Sequence, residues 1–201
     1  ISYPELKSIV AFCERHDLWL LWDAIYKTFA YDIKALDPLG AYKKLIYLDG
    51  FSKPNGIPGW REAFIIFPEE IYGDVVNAQG SAWIAPSNLL GEAIWHAFAE
   101  LQMQNISKER FANMKICRDM TCDTMSQLGI KFSKPEGAFY LWGSIPEQYS
   151  PDEFHAVLWQ NEVLVAPGIC FGTKPEKFRL CFARDEVYLK EGLERFAAAI
   201  G

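Results

Sequence analysis

The sequence predicts an α/β fold that is followed by a small α+β domain. Three short apolar segments, at residues 18–22, 45–48 and 63–67, are separated by turn residues and helical patterns. The unbroken run at 18–22 is typical of a strand buried on both faces, as in a mostly parallel sheet with helices on either side. Together the three runs indicate part of an α/β sheet. After residue 105 the pattern changes to a long helix and then to short strands and helices, which is typical of a smaller α+β unit.

Two capping boxes predict where helices begin. Ser2 is followed by Glu5, and Ser150 is followed by Glu153, so each serine can accept from a backbone amide while the glutamate bonds back to the serine. Helical spacing of apolar residues predicts the other helices, and short runs of apolar and aromatic residues predict the other strands. The predicted helices lie at 3–16, 69–79, 87–101, 108–128 and 186–200, with a further helix that begins at 151. The later strands are predicted after the turn within 135–142, at 163–165 and at 178–182.

The overall charge argues against binding to nucleic acid. The chain carries a net charge of −6 at pH 7, whereas phosphate backbones are bound by clustered Lys and Arg. No apolar run reaches the ~18 residues of a membrane-spanning helix, and no signal peptide is visible. Because residue 1 is Ile and opens directly into a helix cap, we expect the natural polypeptide to begin earlier.

The five cysteines and three histidines match no metal or disulfide framework. Their spacings lack the close ligand pairs of zinc sites, so no metal site is expected. Free thiols fit a reducing compartment, and we expect the protein to be cytoplasmic.

Four residues follow the predicted strands in a pattern that suggests one pocket. Asp23 comes directly after the first strand and Tyr26 three residues later, while Lys53 follows the second strand and Arg61 lies eight residues beyond it. Ligands of open α/β sheets bind beyond the carboxyl ends of strands. Each residue alone has an ordinary alternative as a cap, turn or surface residue, but together they predict a shared site.

At this point the chain resembles the class I/II aminotransferases, which are fold type I enzymes dependent on pyridoxal 5'-phosphate. Residues 22–26, WDAIY, resemble the family's D-E-I-Y segment, and residues 50–61, GFSKPNGIPGWR, resemble its cofactor-lysine segment. Residues 135–140 resemble the P-x-G-A-F-Y turn, and residues 165–180 resemble the C-terminal V-x-P-G…F-G…R-L pattern. The resemblance covers the C-terminal half of the family's sequence. It implies that residues 1–104 belong to the cofactor-binding large domain, and that residues 105–201 form the connector helix and the small domain.

The resemblance implies a role for each matching residue at the cofactor. Lys53 would carry the cofactor as a Schiff base and later move the substrate's proton, with Lys134 as the alternative lysine. Asp23 would pair with the pyridine nitrogen and keep the ring an electron sink. Tyr26 would hydrogen-bond the ring's phenolic oxygen.

Two arginines and a serine would bind the anionic groups. Arg61 would hold the cofactor phosphate, with Ser52 as an additional contact, and Arg179 would bind the substrate α-carboxylate in a bidentate manner. Arg184, five residues further, reads as a surface or cap residue.

The implied reaction is the transfer of an amino group between an amino acid and a 2-oxo acid. Departures from the family pattern, such as Ala24 and the Pro54–Pro58 loop, keep a lyase, cyclising synthase or oxidase open. A cofactor-sensing domain of a transcription regulator is a further alternative, although Arg179 argues against it. The family's N-terminal half has no counterpart here, so we expect the same or a companion chain to supply it, and we expect a homodimer.

Overall fold

The computed structural model describes residues 1–83, 86–172 and 174–201. These residues fold into two compact units, 1–110 and 111–201. The division lies close to the predicted domain boundary at 104/105, which stays a prediction. The helices are α1 Tyr3–Arg15, α2 Tyr72–Trp83, α3 Asn88–Ala99, α4 Gln102–Gln127, α5 Pro151–Gln160 and α6 Glu186–Ile200. The strands are β1 Leu20–Asp23, β2 Leu45–Gly50, β3 Ala63–Ile66, β4 Phe132–Ser133, β5 Tyr140–Ser144, β6 Ala166–Pro167 and β7 Lys177–Cys181.

The first unit contains a three-stranded sheet in the order β1-β2-β3. β1 runs parallel to β2, with Asp23 opposite Leu48, whereas β3 runs antiparallel to β2, with Ala63 opposite Gly50. A cluster of buried residues that includes Cys13 of α1 and Tyr47 of β2 packs α1 against this sheet. The parallel pairing of β1 with β2 places their carboxyl ends at the same edge of the sheet, where Asp23 ends β1 and the segment that carries Lys53 follows β2.

The prediction that the first strand, at residues 18–22, is buried on both faces is wrong for the described residues. Leu21 of β1 is largely exposed, and all four residues of β3 are exposed. The side chains of Phe64, Ile65 and Ile66 are between 40% and 45% exposed. The apolar composition makes these residues suitable for burial, but burial also requires elements that cover them. Among the described residues Phe64 contacts the ring of Phe51, at a centroid distance of 6.0 Å, and still remains 41% exposed.

The second unit contains a four-stranded antiparallel sheet in the order β4-β5-β7-β6. Its core is built on three aromatic rings, Phe154, Phe178 and Phe196, whose centroids lie 5.1–6.1 Å apart and which are fully buried. Both predicted capping boxes are present, at Ser2 and at Ser150. The strand predicted at 163–165 is wrong. Residues 163–165 form no strand and precede β6, and it is β6 that pairs with β7.

Candidate active site

The carboxyl ends of β1 and β2 bring two of the predicted residues to one edge of the sheet. Asp23 is the last residue of β1, and Lys53 lies three residues after Gly50, the last residue of β2. The Asp23 carboxylate is exposed, and its Oδ1 accepts a hydrogen bond from the backbone N–H of Ile25 at 3.0 Å. This bond orients the carboxylate at the start of the turn that carries Tyr26.

A cavity of about 380 Å³ lies at the end of β1. Asp23 and Tyr26 both line it, together with Lys27, Lys34 and a mostly apolar set of residues from the segment 30–36. Lys53 does not line this cavity, but its Nζ lies 6.0 Å from the centroid of the Tyr26 ring. Tyr26 is therefore the residue that connects the Asp23 side of the site with the Lys53 side.

Lys53, Ser52 and Arg61 all belong to the segment 51–62, which we call the β2–β3 loop. Lys53 and Ser52 are half-buried, whereas Arg61 is exposed. Arg61 adopts a left-handed backbone conformation with φ of 60°, and its Nη1 donates to the carbonyl of Pro58 at 2.9 Å. In the described part of the chain no carboxylate pairs with Arg61, so its positive charge is available to an anion.

Arg179 lies in the second unit, on β7. Its guanidinium carbon is 4.3 Å from the centroid of the Tyr140 ring and 4.4 Å from that of Phe171, so two aromatic rings hold the group in place. Its Nε is buried and has no hydrogen-bond partner among the described residues. A buried donor without a partner costs free energy of folding, and such a donor is expected where a group binds an anionic ligand.

The comparisons with known proteins identify the family. The family model of the aminotransferases of class I and II matches residues 1–196. The chain belongs to the class I and II aminotransferase family. Members of this family use pyridoxal 5'-phosphate as their cofactor.

Similar aminotransferases match almost the whole of this chain but only half of their own length. The aromatic-amino-acid aminotransferase 2 of Thermococcus litoralis is 28% identical over 97% of the chain and 52% of its own length. The aspartate aminotransferase of Rhizobium meliloti is 31% identical over 98% of the chain and 52% of its own length. The chain thus spans about half the length of the curated relatives it matches.

A solved structure shows the same relation. The aromatic aminotransferase of Pyrococcus horikoshii superimposes with a TM-score of 0.88 at 26% identity, over 98% of this chain and 55% of that one. This similarity confirms the predicted fold class, part of a fold type I large domain followed by a small α+β domain.

The residues present in this aminotransferase family member fit the cofactor. Lys53 has an amine that could react with its aldehyde, Asp23 has a carboxylate that could pair with its ring nitrogen, and Arg61 has a guanidinium that pairs with no carboxylate among the described residues and could bind its phosphate. Asp23 and Tyr26 line one cavity, and the Lys53 amine lies over the Tyr26 ring. The individual roles of these residues stay predictions.

Sequence reasoning missed an ion pair beside the site. Lys27 Nζ lies 2.6 Å from Asp49 Oδ2 and also donates to the Tyr47 hydroxyl at 2.6 Å. Burial alone would lower the pKa of Lys27, but the hydrogen bonds that its ammonium donates to Asp49 and Tyr47, together with the Asp49 charge, raise that pKa above its ordinary value. The ion pair forms because β1 runs parallel to β2, which brings the residue after Tyr26 beside the end of β2. Two successive strand predictions with parallel directions are the signal that could have indicated it.

A second cavity, of about 640 Å³, adjoins this ion pair. Lys27 and Asp49 line one side of it, and the remaining lining is largely apolar and aromatic. Among the described residues no cluster of three or more His, Cys, Asp or Glu could hold a metal ion. No helix in the described ranges has the length and hydrophobicity to cross a membrane.

Proposed function

We propose that this chain is the C-terminal half of a pyridoxal 5'-phosphate-dependent aminotransferase, with Lys53 as the lysine that carries the cofactor. The observation that supports this most directly is the position of the Lys53 amine, 6.0 Å from the ring centroid of Tyr26, which shares a cavity with Asp23. A reactive amine, a phenol and a carboxylate thus follow the ends of two adjacent parallel strands.

Each residue contributes a separate step at the cofactor. When bound, pyridoxal 5'-phosphate supplies a ring that stabilises negative charge at the substrate's Cα. The Asp23 carboxylate holds a proton at the ring nitrogen, and the Tyr26 hydroxyl donates to the ring oxygen. The Lys53 amine would be the base that moves the proton away from the substrate's Cα.

Arginines select the anionic parts of cofactor and substrate. Arg61 binds the phosphate, and Ser52 adds a hydroxyl donor in the same loop. Arg179 binds the α-carboxylate, which amino acids and 2-oxo acids share, through its planar two-pronged donor set. The buried Nε of Arg179 has no hydrogen-bond partner among the described residues. This favours a substrate-binding enzyme over a cofactor sensor, because a sensor has less need of a group that binds the substrate carboxylate.

The proposal includes a second half of the polypeptide, on the same or a companion chain, and assembly into a homodimer. The relatives are about twice as long as this chain. β3 exposes Phe64, Ile65 and Ile66 on a sheet edge, and an exposed apolar edge strand favours association. Further chain that pairs with this edge would bury these side chains.

We also place the assembled protein in the cytoplasm. The described cysteines are all free, and three of them, Cys13, Cys117 and Cys122, are buried. Burial raises the pKa of the Cys117 and Cys122 thiols, which keeps them protonated and unreactive. Buried free thiols fit a reducing compartment.

The test uses the assembled protein, meaning this chain together with its N-terminal half. Pyridoxal 5'-phosphate is added, the adduct is trapped with borohydride, and peptide mass spectrometry locates the modified lysine. We expect modification at Lys53 and its loss in Lys53→Ala. Lys134→Ala is the matched control and should leave the adduct unchanged.

Amino-group transfer is then tested directly. Candidate amino acids are added to the loaded protein, and release of the matching 2-oxo acid is measured in parent and Arg179→Lys. We expect the arginine-to-lysine change to raise KM strongly, because a lysine cannot form the bidentate contact. An adduct at Lys134, or no 2-oxo acid from any amino acid, contradicts the proposal.

A further inference from the structure

The β2–β3 loop is bonded to the first two turns of α4. Asn55, two residues after Lys53, donates from Nδ2 to the backbone carbonyl of Met103 at 2.7 Å and to Ser107 Oγ at 3.1 Å. The backbone N–H of Asn55 also donates to the carbonyl of Phe51 at 3.1 Å. One amide side chain therefore bonds to the helix, while its own backbone bonds to the start of the loop.

These bonds lie in a sheltered position. Asn55 and Ser107 are half-buried, and Met103 is only 6% exposed. A backbone carbonyl has two lone pairs, so the helix can use one while Asn55 uses the other. Removing a partner from such a site costs more than removing an exposed bond, because the remaining polar groups are poorly reached by water.

The next residue fits against the same helix. Gly56 has φ of +70°, and a Cβ at this position would lie 2.8 Å from Nη1 and 2.9 Å from Cζ of Arg110. The absence of a side chain lets the Arg110 guanidinium pack directly on the loop. Met103, Ser107 and Arg110 are spaced four and three residues apart, so they share one face of α4.

We infer that Asn55 and Ser107 are positioning residues that hold the β2–β3 loop on α4 and thereby fix where the Lys53 amine lies beside Tyr26. Neither residue reacts with the cofactor; both act through the backbone that carries Lys53. This inference rests on the proposed function, since it concerns the reactivity of Lys53.

The experiment measures the reactivity of Lys53 and the mobility of the loop in the assembled protein. The rate of Lys53 modification by pyridoxal 5'-phosphate is followed by borohydride trapping, with Lys134 in the same molecule as the internal reference. Hydrogen–deuterium exchange of residues 51–60 reports the loop itself. The variants are Asn55→Ala, Asn55→Asp, Ser107→Ala and Ser107→Thr, and the control is Asn105→Ala, an exposed amide on the same helix.

We expect Asn55→Ala to slow Lys53 modification about three- to thirty-fold relative to Lys134, as the loss of two hydrogen bonds implies. Asn55→Asp keeps the size of the side chain but cannot donate, so it should behave like Asn55→Ala. Ser107→Thr keeps the hydroxyl and should react faster than Ser107→Ala. Exchange of residues 51–60 should rise in the alanine variants, and Asn105→Ala should match the parent.

Two outcomes separate the inference from the proposed function. Parent-like Lys53 modification and parent-like loop exchange in both Asn55 variants would overturn the inference while the proposed function stands. Absence of Lys53 modification in the parent would overturn the proposed function. The exchange data then decide whether Asn55 holds the loop: faster exchange in Asn55→Ala supports it, and unchanged exchange refutes it.

Discussion

The ion pair between Lys27 and Asp49 allows a quantitative test of the site's electrostatics. Asp49 is 8% exposed, and besides Lys27 its carboxylate accepts the backbone N–H of Gly50 at 2.8 Å. The Lys27 side chain is 41% exposed, so its ammonium reaches water when its partner is removed. We therefore expect the two single substitutions to have unequal costs.

The magnitudes follow from burial. Breaking a buried pair costs about 3–5 kcal/mol, whereas an exposed pair contributes about 0–1 kcal/mol. Lys27→Met leaves the Asp49 carboxylate buried and, among the described residues, bonded only to the Gly50 amide. We therefore expect a loss of about 2–4 kcal/mol in the free energy of unfolding. Asp49→Asn leaves a half-exposed ammonium, and we expect about 1–2 kcal/mol after allowing for solvent screening.

The assay is urea unfolding at pH 7, followed by far-UV circular dichroism. Asp17→Asn is the matched control, because Asp17 also binds a lysine, Lys44 at 2.5 Å, but is 81% exposed. It should change the free energy of unfolding by about 0–1 kcal/mol. If Asp49→Asn costs no more than Asp17→Asn, or Lys27→Met costs less than Asp49→Asn, the reasoning from burial is wrong.

The same pair has a pH signature. The folded pKa of Lys27 lies above its ordinary value of 10.5, so its contribution to stability is complete below that pH. The contribution is lost as the pH rises above 10.5 through the raised folded value. Lys27→Met should therefore lose less stability than the parent on going from pH 9 to pH 12, as measured by the urea midpoint.

Three further predictions concern the second unit. Burial lowers the pKa of His155, so the free energy of unfolding should fall as the pH decreases below 6.5, and His155→Gln should reduce this loss. NMR titration of the His155 imidazole provides the check. Gly143→Ala places a Cβ 2.5 Å from Cζ of the fully buried Phe178, and we expect a loss of about 1–3 kcal/mol in urea unfolding, with an unchanged midpoint contradicting this contact. Ser150→Ala removes an N-cap from α5 and should cost about 1 kcal/mol, visible as a lower thermal midpoint.

Local signals made the starts of α1 and α5 predictable, whereas the prediction that the long helix begins at 108 is wrong, since α4 begins at Gln102. Ser2 and Ser150 each supply the hydroxyl that accepts a backbone N–H, and a proline and a glutamate follow within the next three residues. The whole capping motif is therefore readable from four consecutive residues. The exposure of β3 could not be predicted in the same way. An apolar run reports what a segment is suited to, whereas its burial depends on which other elements lie against it.

The candidate site likewise has one part that could be predicted from the sequence and one part that could not. The positions of Asp23 and Lys53 follow from strands that end side by side, and strands can be read from short apolar runs. The hydrogen bond from Asn55 to Ser107 joins residues 52 positions apart, and the sequence around neither residue predicts it. Such contacts depend on the final placement of a helix against a loop, which a single sequence does not encode in any readable motif.

The β2–β3 loop is closed at its base, where Gly50 faces Ala63 and the amide of Phe51 donates to the carbonyl of Glu62. Its two ends are therefore fixed to each other by the sheet, independently of what the intervening residues do. Loops of different length or composition could be exchanged between these anchor points without changing the strand register. Shortening or lengthening the loop would displace the amine while leaving the scaffold intact, which makes this segment a natural unit for engineering altered chemistry.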